Sequence, residues 1–509
     1  MVDYYHLCAS GLSRLTSTGG MASLLVIILL AYYVAVTYYS YQRLSHIPGP
    51  RGAGFSKWWM LRNTLSGNMH LALKRACDDY GLLARVGPNT LVTNDPEVIK
   101  RMWTVRSPYK KGEFYDAVRF DPTRDNLISM RDDNLHNELR AKMAAGYGGK
   151  DNEGLEGAID KEIACFINLI ERKYLSTDTE FRPLDLARKA QYFTLDVISS
   201  LAFGKKFGFL DQDKDVHQYI QMTEESMPVM MILTVIPSLA RLLQTKLLRR
   251  LMPSEHDRVG FGKFIAVAKQ VVAERLASSN PFQKDMLGSF LKHGLTQEEA
   301  EGETLVQVIA GSDTTATAIR TTMLYLMTSP LAYDKLTREI RAAAAEGRIS
   351  QPITDAESRT LPYLQAVIRE GLRIFPPVAG LMPTVVPRGG DVIHGLAVPE
   401  GTDIGWTAFG VQHSREVYGA DAELFRPERW LEASEEQLKT MTGTWELIFK
   451  YGKWQCLGKS VALLELNKIF VELLRRYDFT LLNPSSPWYS ANAGIFIQSD
   501  EWVKVTRAP

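Results

Sequence analysis

The sequence has little cysteine and almost no net charge, and each shortage excludes a class of protein. Its four cysteines are far apart along the chain: Cys8, Cys77, Cys165 and Cys456. They form neither a C-x-x-C pair nor a zinc-binding spacing and are too few for a disulfide framework, so a fold in a reducing compartment is expected. A formal net charge of +1, without a strip of interleaved basic and aromatic residues, gives no reason to expect a nucleic-acid partner.

Low-complexity linkers, internal repeats and long charge runs are missing from residues 53–509, so we predict one large domain there. Helical periodicity predominates in this part of the chain, at residues 134–145, 155–173, 187–203, 299–327, 331–345, 363–375 and 457–477. Strand-like pieces are short, at residues 91–93, 384–386, 402–404 and 495–497. The predicted fold class is therefore mainly α with small β-sheets, that is, α+β.

Charged residues are absent from residues 15–42, a stretch long enough to cross a bilayer as a helix. Tyrosines gather towards its end, where an aromatic belt would lie, and basic residues are more frequent after it than before it. We predict a transmembrane signal anchor at residues 21–41, a short luminal segment at residues 1–20, and the large C-terminal part in the cytosol. The alternative is a buried core helix. Residues 42–52 form a predicted linker, because Pro48 and Pro50 flank a glycine and cannot continue a helix.

A single cysteine in a glycine-bounded loop, residues 449–458, is the most informative local pattern. An apolar stripe with helical spacing starts directly after Cys456, and the N-terminus of a helix favours a thiolate. Gly452 and Gly458 remove side chains where a flat cofactor or another backbone must approach closely. This combination suits a thiolate ligand of haem iron. The alternative is a buried structural cysteine, which a lone cysteine often is.

Polar residues also interrupt the longest apolar helical segment, residues 299–327. Asp313 and Thr314 lie at its centre, where an apolar helix carries them only for a use or a partner. Gly311 would let a flat ligand lie against the helix, and threonine hydroxyls can bond back to carbonyls, bend the helix and make room for water or dioxygen. The alternative is a satisfied buried polar pair.

Two further patterns pair charged or polar residues on one helix face. Glu370 and Arg373 are three apart, and Arg429 offers a third partner, so a buried carboxylate held by two guanidinium groups is one interpretation. The alternative is a solvated surface ion pair. His136 and Arg140 place two donors one helical turn apart, suited to an anionic group, and the alternative is an exposed helix face.

Taken in chain order, from the anchor and Pro48–Pro50 through residues 310–315, Glu370, Arg373 and Arg429 to the Cys456 loop, these segments resemble the cytochrome P450 family. Residues 285–290, 445–447 and 455–460 are most similar to its fungal secondary-metabolite members, such as pisatin demethylase. The resemblance covers essentially the whole chain and implies the cytochrome P450 fold. It implies haem b with Cys456 as the axial ligand of the iron, and Asp313 and Thr314 delivering protons to bound dioxygen. The remaining cofactor-binding candidates are His136, Arg140, Gly311, Phe449, Gly452, Trp454 and Gly458, and the structural candidates are Glu370, Arg373 and Arg429.

The resemblance also implies an activity. The chain would be a single-pass protein of the endoplasmic reticulum membrane that oxidises an apolar small molecule with O2 and with NADPH electrons delivered by NADPH–cytochrome P450 reductase. A tailoring step on a terpenoid or an aromatic polyketide is expected in fungal secondary metabolism. Substrate contacts are expected from residues 115–127, 227–231, 378–381 and 495–496, and a basic face for the reductase from Arg140, Lys142, Lys450, Lys453 and Lys459.

Two other classes compete with this interpretation. A membrane haem-thiolate sensor or electron carrier that does not oxygenate would use the same cysteine, but it would not need the acid–alcohol pair Asp313 and Thr314. A P-loop NTPase is suggested by Gly458, Lys459 and Ser460, but the glycine that a P-loop needs five residues earlier is Lys453. The NTPase is therefore excluded.

Two positions depart from the family pattern. Trp454 stands where the family usually has Arg or His two residues before the cysteine, and Thr384 stands where an Arg often lies beside a propionate. Both changes remove a cationic donor for the haem propionates, and the indole N–H of Trp454 replaces only part of that charge. Lys450 and Lys453 are the candidates that could compensate.

Overall fold

The computed structural model describes residues 18–149, 151–152 and 154–509. Most of the predicted luminal segment, residues 1–17, lies outside the described residues. The α-helices span Thr18–Arg43, Trp58–Leu65, Met69–Tyr80, Pro96–Trp103, Asp133–Tyr147, Leu155–Leu169, Leu186–Phe203, Phe209–Gln212, Tyr219–Val235, Pro237–Leu243, Gly260–Ala277, Met286–Lys292, Gln297–Met327, Pro330–Ala345, Asp355–Ser358, Pro362–Ile374, Ala408–Gln412, Arg415–Tyr418, Arg429–Glu432, Glu435–Trp445 and Lys459–Leu474. Single-turn 3-10 or π segments add Glu113–Val118, Ile170–Tyr174, Val216–Gln218, Arg249–Leu251, Glu446–Phe449 and Gly452–Trp454.

The strands are short and lie in small sheets. In chain order they are β1 Leu83–Gly87, β2 Thr90–Thr93, β3 Lys110–Lys111, β4 Pro183–Asp185, β5 Val378–Ala379, β6 Thr384–Val385, β7 Asp391–Ile393, β8 Leu396–Val398, β9 Asp403–Trp406, β10 Tyr477–Leu481, β11 Tyr489–Ser499 and β12 Trp502–Arg507. The sheet orders are β1-β2-β9-β6-β3, β10-β12-β4, β11-β5 and β7-β8. All pairs are antiparallel except β2 with β9. The predicted class, mainly helical with small sheets, is confirmed.

One long helix, Gln297–Met327, runs through the centre of the domain and is called the distal helix below. It begins at a capping box in which Thr296 and Glu299 bond to each other's backbone amides, which satisfies donors that a helix start leaves unpaired. Most of its residues are buried, and its densest packing is against Leu186–Phe203, a helix that is buried on almost every face. The distal helix therefore lies inside the core, where it forms one wall of a cavity.

A second helix, Lys459–Leu474, packs against the distal helix and is called the proximal helix. Its side chains Phe470, Val471 and Leu474 are fully buried, in line with the apolar stripe in the sequence. The sequence predicts a start at residue 457, but Leu457 and Gly458 remain in the loop before the helix. Cys456 therefore lies just ahead of the first turn, in the loop of residues 449–458 that we call the cysteine loop.

The predicted anchor coincides with the helix Thr18–Arg43. Among the described residues, no single helix is long and apolar enough to cross a membrane, whereas one bent pair, Val216–Val235 with Pro237–Leu243 at 114°, passes on length and composition. The predicted linker is docked on the domain. The backbone N–H of Arg85 in β1 donates to the carbonyl of Pro48, and a Cβ on Gly49 would lie 2.0 Å from the Arg85 carbonyl oxygen.

Candidate active site

A cavity of about 370 Å³ lies between the distal helix, the proximal helix and the cysteine loop. Its wall is mostly apolar. It includes Ile309, Ala310 and Val461, and the sulfur-bearing side chain of Cys456 opens into it. Cys456 is thus accessible from the cavity, while its thiol lies deep within the protein. This arrangement suits a reaction from which bulk water must be kept away.

The cysteine loop holds Cys456 by its backbone. The N–H of Cys456 donates to the carbonyl of Phe449 at 2.7 Å, and the amides of Gly458 and Lys459 point at the sulfur. Burial raises the pKa of the Cys456 thiol, while these amides and the charges of Arg140 and Lys459 act in the opposite direction. The amides at the start of the proximal helix thus favour a thiolate, which is the electrostatic arrangement that a metal-ligating cysteine needs.

The structure explains the three candidate glycines in different ways. Gly452 has a φ of +58°, and a Cβ there would lie 2.3 Å from the carbonyl oxygen of Trp103, so it is required by backbone packing outside the cavity wall. Gly458 lines the cavity, where a Cβ would lie 3.9 Å from the Cys456 sulfur. Gly311 also lines the cavity, but its missing Cβ leaves room for Ile198, whose Cδ1 would be 2.8 Å away. Close helix packing therefore already requires a small residue at Gly311, and its role beside a flat ligand stays a prediction.

Thr314 and Asp313 point in different directions from the distal helix. Thr314 lines the cavity, and its hydroxyl donates to the carbonyl of Ala310 at 2.8 Å. The Asp313 carboxylate lies behind the helix, where it accepts from Gln191 Nε2 at 2.6 Å and from the Tyr219 hydroxyl at 2.7 Å. Burial raises the pKa of Asp313, and the Tyr219 hydrogen bond lowers it. The alcohol therefore faces the cavity, and the acid belongs to a polar network behind it.

His136 and Arg140, on the helix Asp133–Tyr147, both line the cavity. Burial, followed by the charge of Lys111, lowers the pKa of His136 to about 4. Arg140 Nη1 donates to the carbonyl of Gln455 at 2.6 Å, which ties this helix to the cysteine loop. Phe449 lines the cavity and packs edge-on against Trp445 at a centroid distance of 5.6 Å. These three predicted cofactor-binding positions thus line the same cavity as Cys456.

Lys450 and Lys453, the two candidates to replace the missing cationic donors for the propionates, lie in different environments. Lys453 is buried outside the cavity wall, and its ammonium donates to the carbonyls of Ser107 and Tyr109 and to Asp133 at 2.8 Å. Lys450 lines the cavity. The sequence predicts that both lysines belong to a basic surface for a reductase. Neither does, because the ammonium of Lys453 is bonded inside the protein and the side chain of Lys450 points into the cavity.

The other expected basic positions are also engaged. Lys142 pairs with Glu299 at 3.2 Å, and Lys459 pairs with Glu446. The five described positions of the predicted basic face therefore form no cluster of unpaired charges.

Thr384 is buried outside the cavity wall, with its hydroxyl directed at the carbonyl of Ile404 at 3.3 Å.

Lys111 in β3 and Trp406 in β9 are among the cavity residues that sequence reasoning missed. Lys111 is buried, and burial followed by repulsion from Lys450 lowers its pKa to about 7. Trp406 and Trp454 line the cavity, and their indole N–H groups are buried without a hydrogen-bond partner in the described chain. No local pattern identifies β3 or β9 as a cavity wall, because only the sheet order brings them there.

Glu370, Arg373 and Arg429 form the expected buried cluster. Glu370 accepts from Arg373 at 2.8 and 2.9 Å, from Arg429 at 3.0 Å and from the indole of Trp430 at 2.9 Å. Burial raises the pKa of Glu370, but the charges and hydrogen bonds of the two arginines lower it below its ordinary value. The cluster does not line the cavity, so its role is to hold the chain segments around it.

The expected substrate segments also contribute to the cavity wall. Residues from each of them line the cavity: Tyr115, Val118, Phe120, Leu127, Met227, Met230, Met231, Val378, Gly380 and Ile495. Phe496 instead packs against Phe375 with the ring centroids 4.5 Å apart, outside the wall. Methionines adapt to irregular apolar shapes, so this wall suits an apolar molecule.

These residues fit haem b. Cys456, with its amide support, would provide a thiolate ligand for haem iron, and the cationic and indole donors would provide partners for propionates. The cytochrome P450 family profile matches residues 49–505. Cytochrome P450 monooxygenase ABA1 of Pyricularia oryzae is 41% identical over 492 residues, covering 95% of this chain and 96% of the relative.

Cytochrome P450 monooxygenase aba1 of Botryotinia fuckeliana is 39% identical over 469 residues, covering 91% of this chain and 92% of the relative. Cytochrome P450 monooxygenase abl1 of Leptosphaeria maculans is 37% identical over 462 residues, covering 89% and 81%. Both the family and the class of enzyme expected from the sequence are confirmed. The chain belongs to the cytochrome P450 family and is an oxidoreductase of the monooxygenase type.

Proposed function

We propose that this chain is a membrane-anchored haem-thiolate monooxygenase that oxidises an apolar small molecule in a tailoring step of fungal secondary metabolism. One oxygen atom of O2 would enter the substrate and the other would leave as water, with two electrons from NADPH supplied through NADPH–cytochrome P450 reductase. The observation that carries the proposal is the Cys456 sulfur, which opens into the same enclosed apolar cavity that Thr314 lines. A sensor or electron carrier would not need that alcohol.

Haem b, when bound, would supply dioxygen activation, and a thiolate ligand favours cleavage of the O–O bond. The chain would hold haem by Cys456, His136, Arg140 and Trp454. The Thr314 hydroxyl donates its hydrogen to the carbonyl of Ala310, so its oxygen would be oriented to accept a hydrogen bond from a donor in the cavity.

Asp313 would act from behind the distal helix as the proton reservoir. Because burial raises its pKa, the carboxyl holds a proton more readily than an exposed aspartate does. Gln191 and Tyr219 fix its orientation, and release of either bond would free the carboxyl to pass a proton towards Thr314. The apolar wall would meanwhile orient the substrate and keep water out.

The substrate class that the wall supports is an apolar terpenoid or an aromatic polyketide. The methionines and aromatic side chains offer shape and little hydrogen bonding, so recognition would depend mainly on burial of apolar surface. Gene deletion in the source organism, followed by comparison of metabolite profiles, would identify the substrate that accumulates.

Membrane attachment is supported by the helix Thr18–Arg43, whose side chains Leu25, Ile28 and Tyr32 are exposed. Apolar side chains that remain exposed call for a lipid or protein cover. We infer a single-pass anchor in the endoplasmic reticulum membrane, with the catalytic domain in the cytosol. Alkaline extraction and protease protection of microsomes test this inference, and release of the full chain by carbonate would contradict it.

The central test is the spectrum of the reduced carbonyl complex of the full-length protein. We expect the red-shifted Soret band of thiolate ligation, its loss in Cys456→Ala, and its retention in the control Cys165→Ala. An imidazole-type band in the wild type would contradict the proposal. Reconstitution with the reductase then separates enzyme from sensor, because only a monooxygenase consumes NADPH in a substrate-dependent manner.

A further inference from the structure

Lys450, which directly follows Phe449 in the cysteine loop, has a backbone conformation that lysine rarely adopts. Its φ of +59° and ψ of −170° lie in a region that is occupied almost only by glycine. A side chain in such a conformation is strained, and strained residues persist where the surrounding structure or a function requires them. Glycine would satisfy the backbone better, so the lysine side chain must supply something that glycine lacks.

The side chain of Lys450 enters the cavity beside aromatic rings. Its ammonium donates to the Tyr115 hydroxyl at 3.1 Å and lies 5.5 Å from the centroid of the Trp103 ring. No carboxylate forms an ion pair with Lys450 in the described part of the chain. An ammonium has three N–H donors, so Lys450 keeps donors for a ligand.

A second ammonium shares this space. Lys111 lies 5.3 Å from the centroid of the Tyr115 ring, and Lys450 lies 5.6 Å from it. Lys111 donates to the carbonyls of Leu127 and Ile128 at 3.0 and 2.8 Å, which leaves one N–H. Two like charges in an enclosed space repel each other, and the described residues place no carboxylate within ion-pair distance of either.

The unpartnered indoles lie on the same side. Trp406 packs edge-on against Trp103, with the ring centroids 5.1 Å apart, and Lys450 lies over that same Trp103 ring. Trp454 follows four residues later in the cysteine loop, and both indole N–H groups are buried without an acceptor. Buried donors without acceptors are costly, so two of them next to two ammonium groups indicate a missing anion.

We propose that Lys450 and Lys111, with the indole N–H groups of Trp406 and Trp454, form the cradle that holds the two carboxylates of the haem propionates. The strained backbone of Lys450 is retained because its ammonium replaces the charge that the cysteine loop lacks at Trp454. Haem carries two carboxylates on one edge, which matches two ammonium groups in one corner of the cavity. This inference rests on the proposed haem-thiolate function and assigns residues to it.

The test uses the full-length protein loaded with haem, and it compares wild type with Lys450→Gly and Trp454→Phe. Haem release is followed by transfer to excess apomyoglobin, together with the midpoint reduction potential. We expect Lys450→Gly to release haem about tenfold faster, because it loses a charge-assisted hydrogen bond. Its potential should fall, since a cation near the propionates stabilises the reduced form. Trp454→Phe should release haem faster by a smaller factor with little change in potential.

The control is Asp500→Gly, which relieves a similar φ of +64° at an exposed turn outside the cavity. It should leave haem release and potential unchanged. Lys450→Gly should unfold at an equal or higher temperature as apoprotein, since it removes strain, so a faster release cannot be attributed to misfolding. Unchanged release and potential in both Lys450→Gly and Trp454→Phe would overturn the cradle.

The two proposals fail in different ways. A wild-type protein without the thiolate Soret band contradicts the proposed function itself. A wild type with that band, whose Lys450→Gly variant keeps haem as well as the wild type does, contradicts only the assignment of Lys450.

Discussion

Two buried polar clusters in this protein differ in whether their partners are present. In the Glu370 cluster the carboxylate accepts five hydrogen bonds: two from Arg373 and one each from Arg429, the Trp430 indole and the backbone N–H of Arg426. At the edge of the cavity, the indoles of Trp406 and Trp454 donate to nothing in the described chain. Both clusters lie in low-dielectric surroundings, where an unpaired polar group is expensive.

The difference teaches how to separate scaffold from site. A polar cluster that is satisfied inside the protein stabilises the fold without a ligand, whereas one with spare donors is complete only when a ligand is bound. Lys453 and Lys450 show the same contrast three residues apart, since one has three protein acceptors and the other faces the cavity. Burial alone would not distinguish them.

The largest effect is expected from breaking the satisfied cluster. Glu370→Ala leaves two buried guanidinium groups without their carboxylate, which should lower the free energy of unfolding by about 3–5 kcal/mol. Urea unfolding or soluble yield measures it. The control Glu432→Ala removes an exposed partner of Arg426 and should cost less than about 1 kcal/mol. Equal losses in the two variants would show that the Glu370 cluster is not a structural lock.

The next effect concerns the alcohol that faces the cavity. In Thr314→Ala, NADPH oxidation should continue while product formed per NADPH drops about a hundredfold, the lower end of what a positioned proton donor contributes. Hydrogen peroxide should appear in place of product. The control Thr321→Ala removes a hydroxyl with the same bond to the carbonyl four residues earlier, away from the cavity. Fully coupled turnover in Thr314→Ala would refute the relay role.

Lys453 offers a smaller change that sharpens the comparison with Lys450. Lys453→Met removes an ammonium from two carbonyls and Asp133, so the free energy of unfolding should fall by about 1–3 kcal/mol. Haem release should stay at the wild-type rate, because this side chain lies outside the cavity wall. Thermal unfolding and haem transfer, measured together, check both halves. Faster haem release at unchanged stability would reverse the assignment of the two lysines.

The effect that is smallest at neutral pH is a pH dependence at His70, which packs edge-on against Phe409 and Phe496. Burial lowers its pKa from 6.5 to about 4 in the folded state. Between these values the unfolded chain binds more protons, so the free energy of unfolding should fall as the pH drops from about 6.5 towards 4. His70→Phe should reduce the slope of the free energy of unfolding against pH by the equivalent of up to about one bound proton. Urea titrations across this pH range measure that slope. The control His256→Phe alters an exposed histidine, and an equal flattening there would contradict the assignment.

Much of the site was predictable because its residues lie in local patterns. A cysteine directly before an amphipathic helix, a charged pair three residues apart and polar residues within an apolar helix are properties of one segment each. The helix predicted at residues 299–327 is observed at Gln297–Met327 for the same reason. Capping and periodicity are local, so they can be recognised in the sequence without knowledge of the fold.

The rest was not predictable from local patterns. The sequence does not show that Gly311 also makes room for Ile198, which lies on a helix more than a hundred residues away. Lys111 and Trp406 reach the cavity only because β3, β6 and β9 share a sheet. Which residue fills a gap, and which donor lacks a partner, depend on long-range packing.

The sequence by itself determined the family, the mainly helical class and the cysteine that would bind iron, because each follows from short segments read in order. The tertiary structure alone decided which polar groups are satisfied. It placed Lys453 among its acceptors, turned Asp313 away from the cavity and left Lys450, Trp406 and Trp454 facing it. The physical reason is that hydrogen-bond satisfaction depends on distances between segments far apart in the chain, and only folding sets those distances.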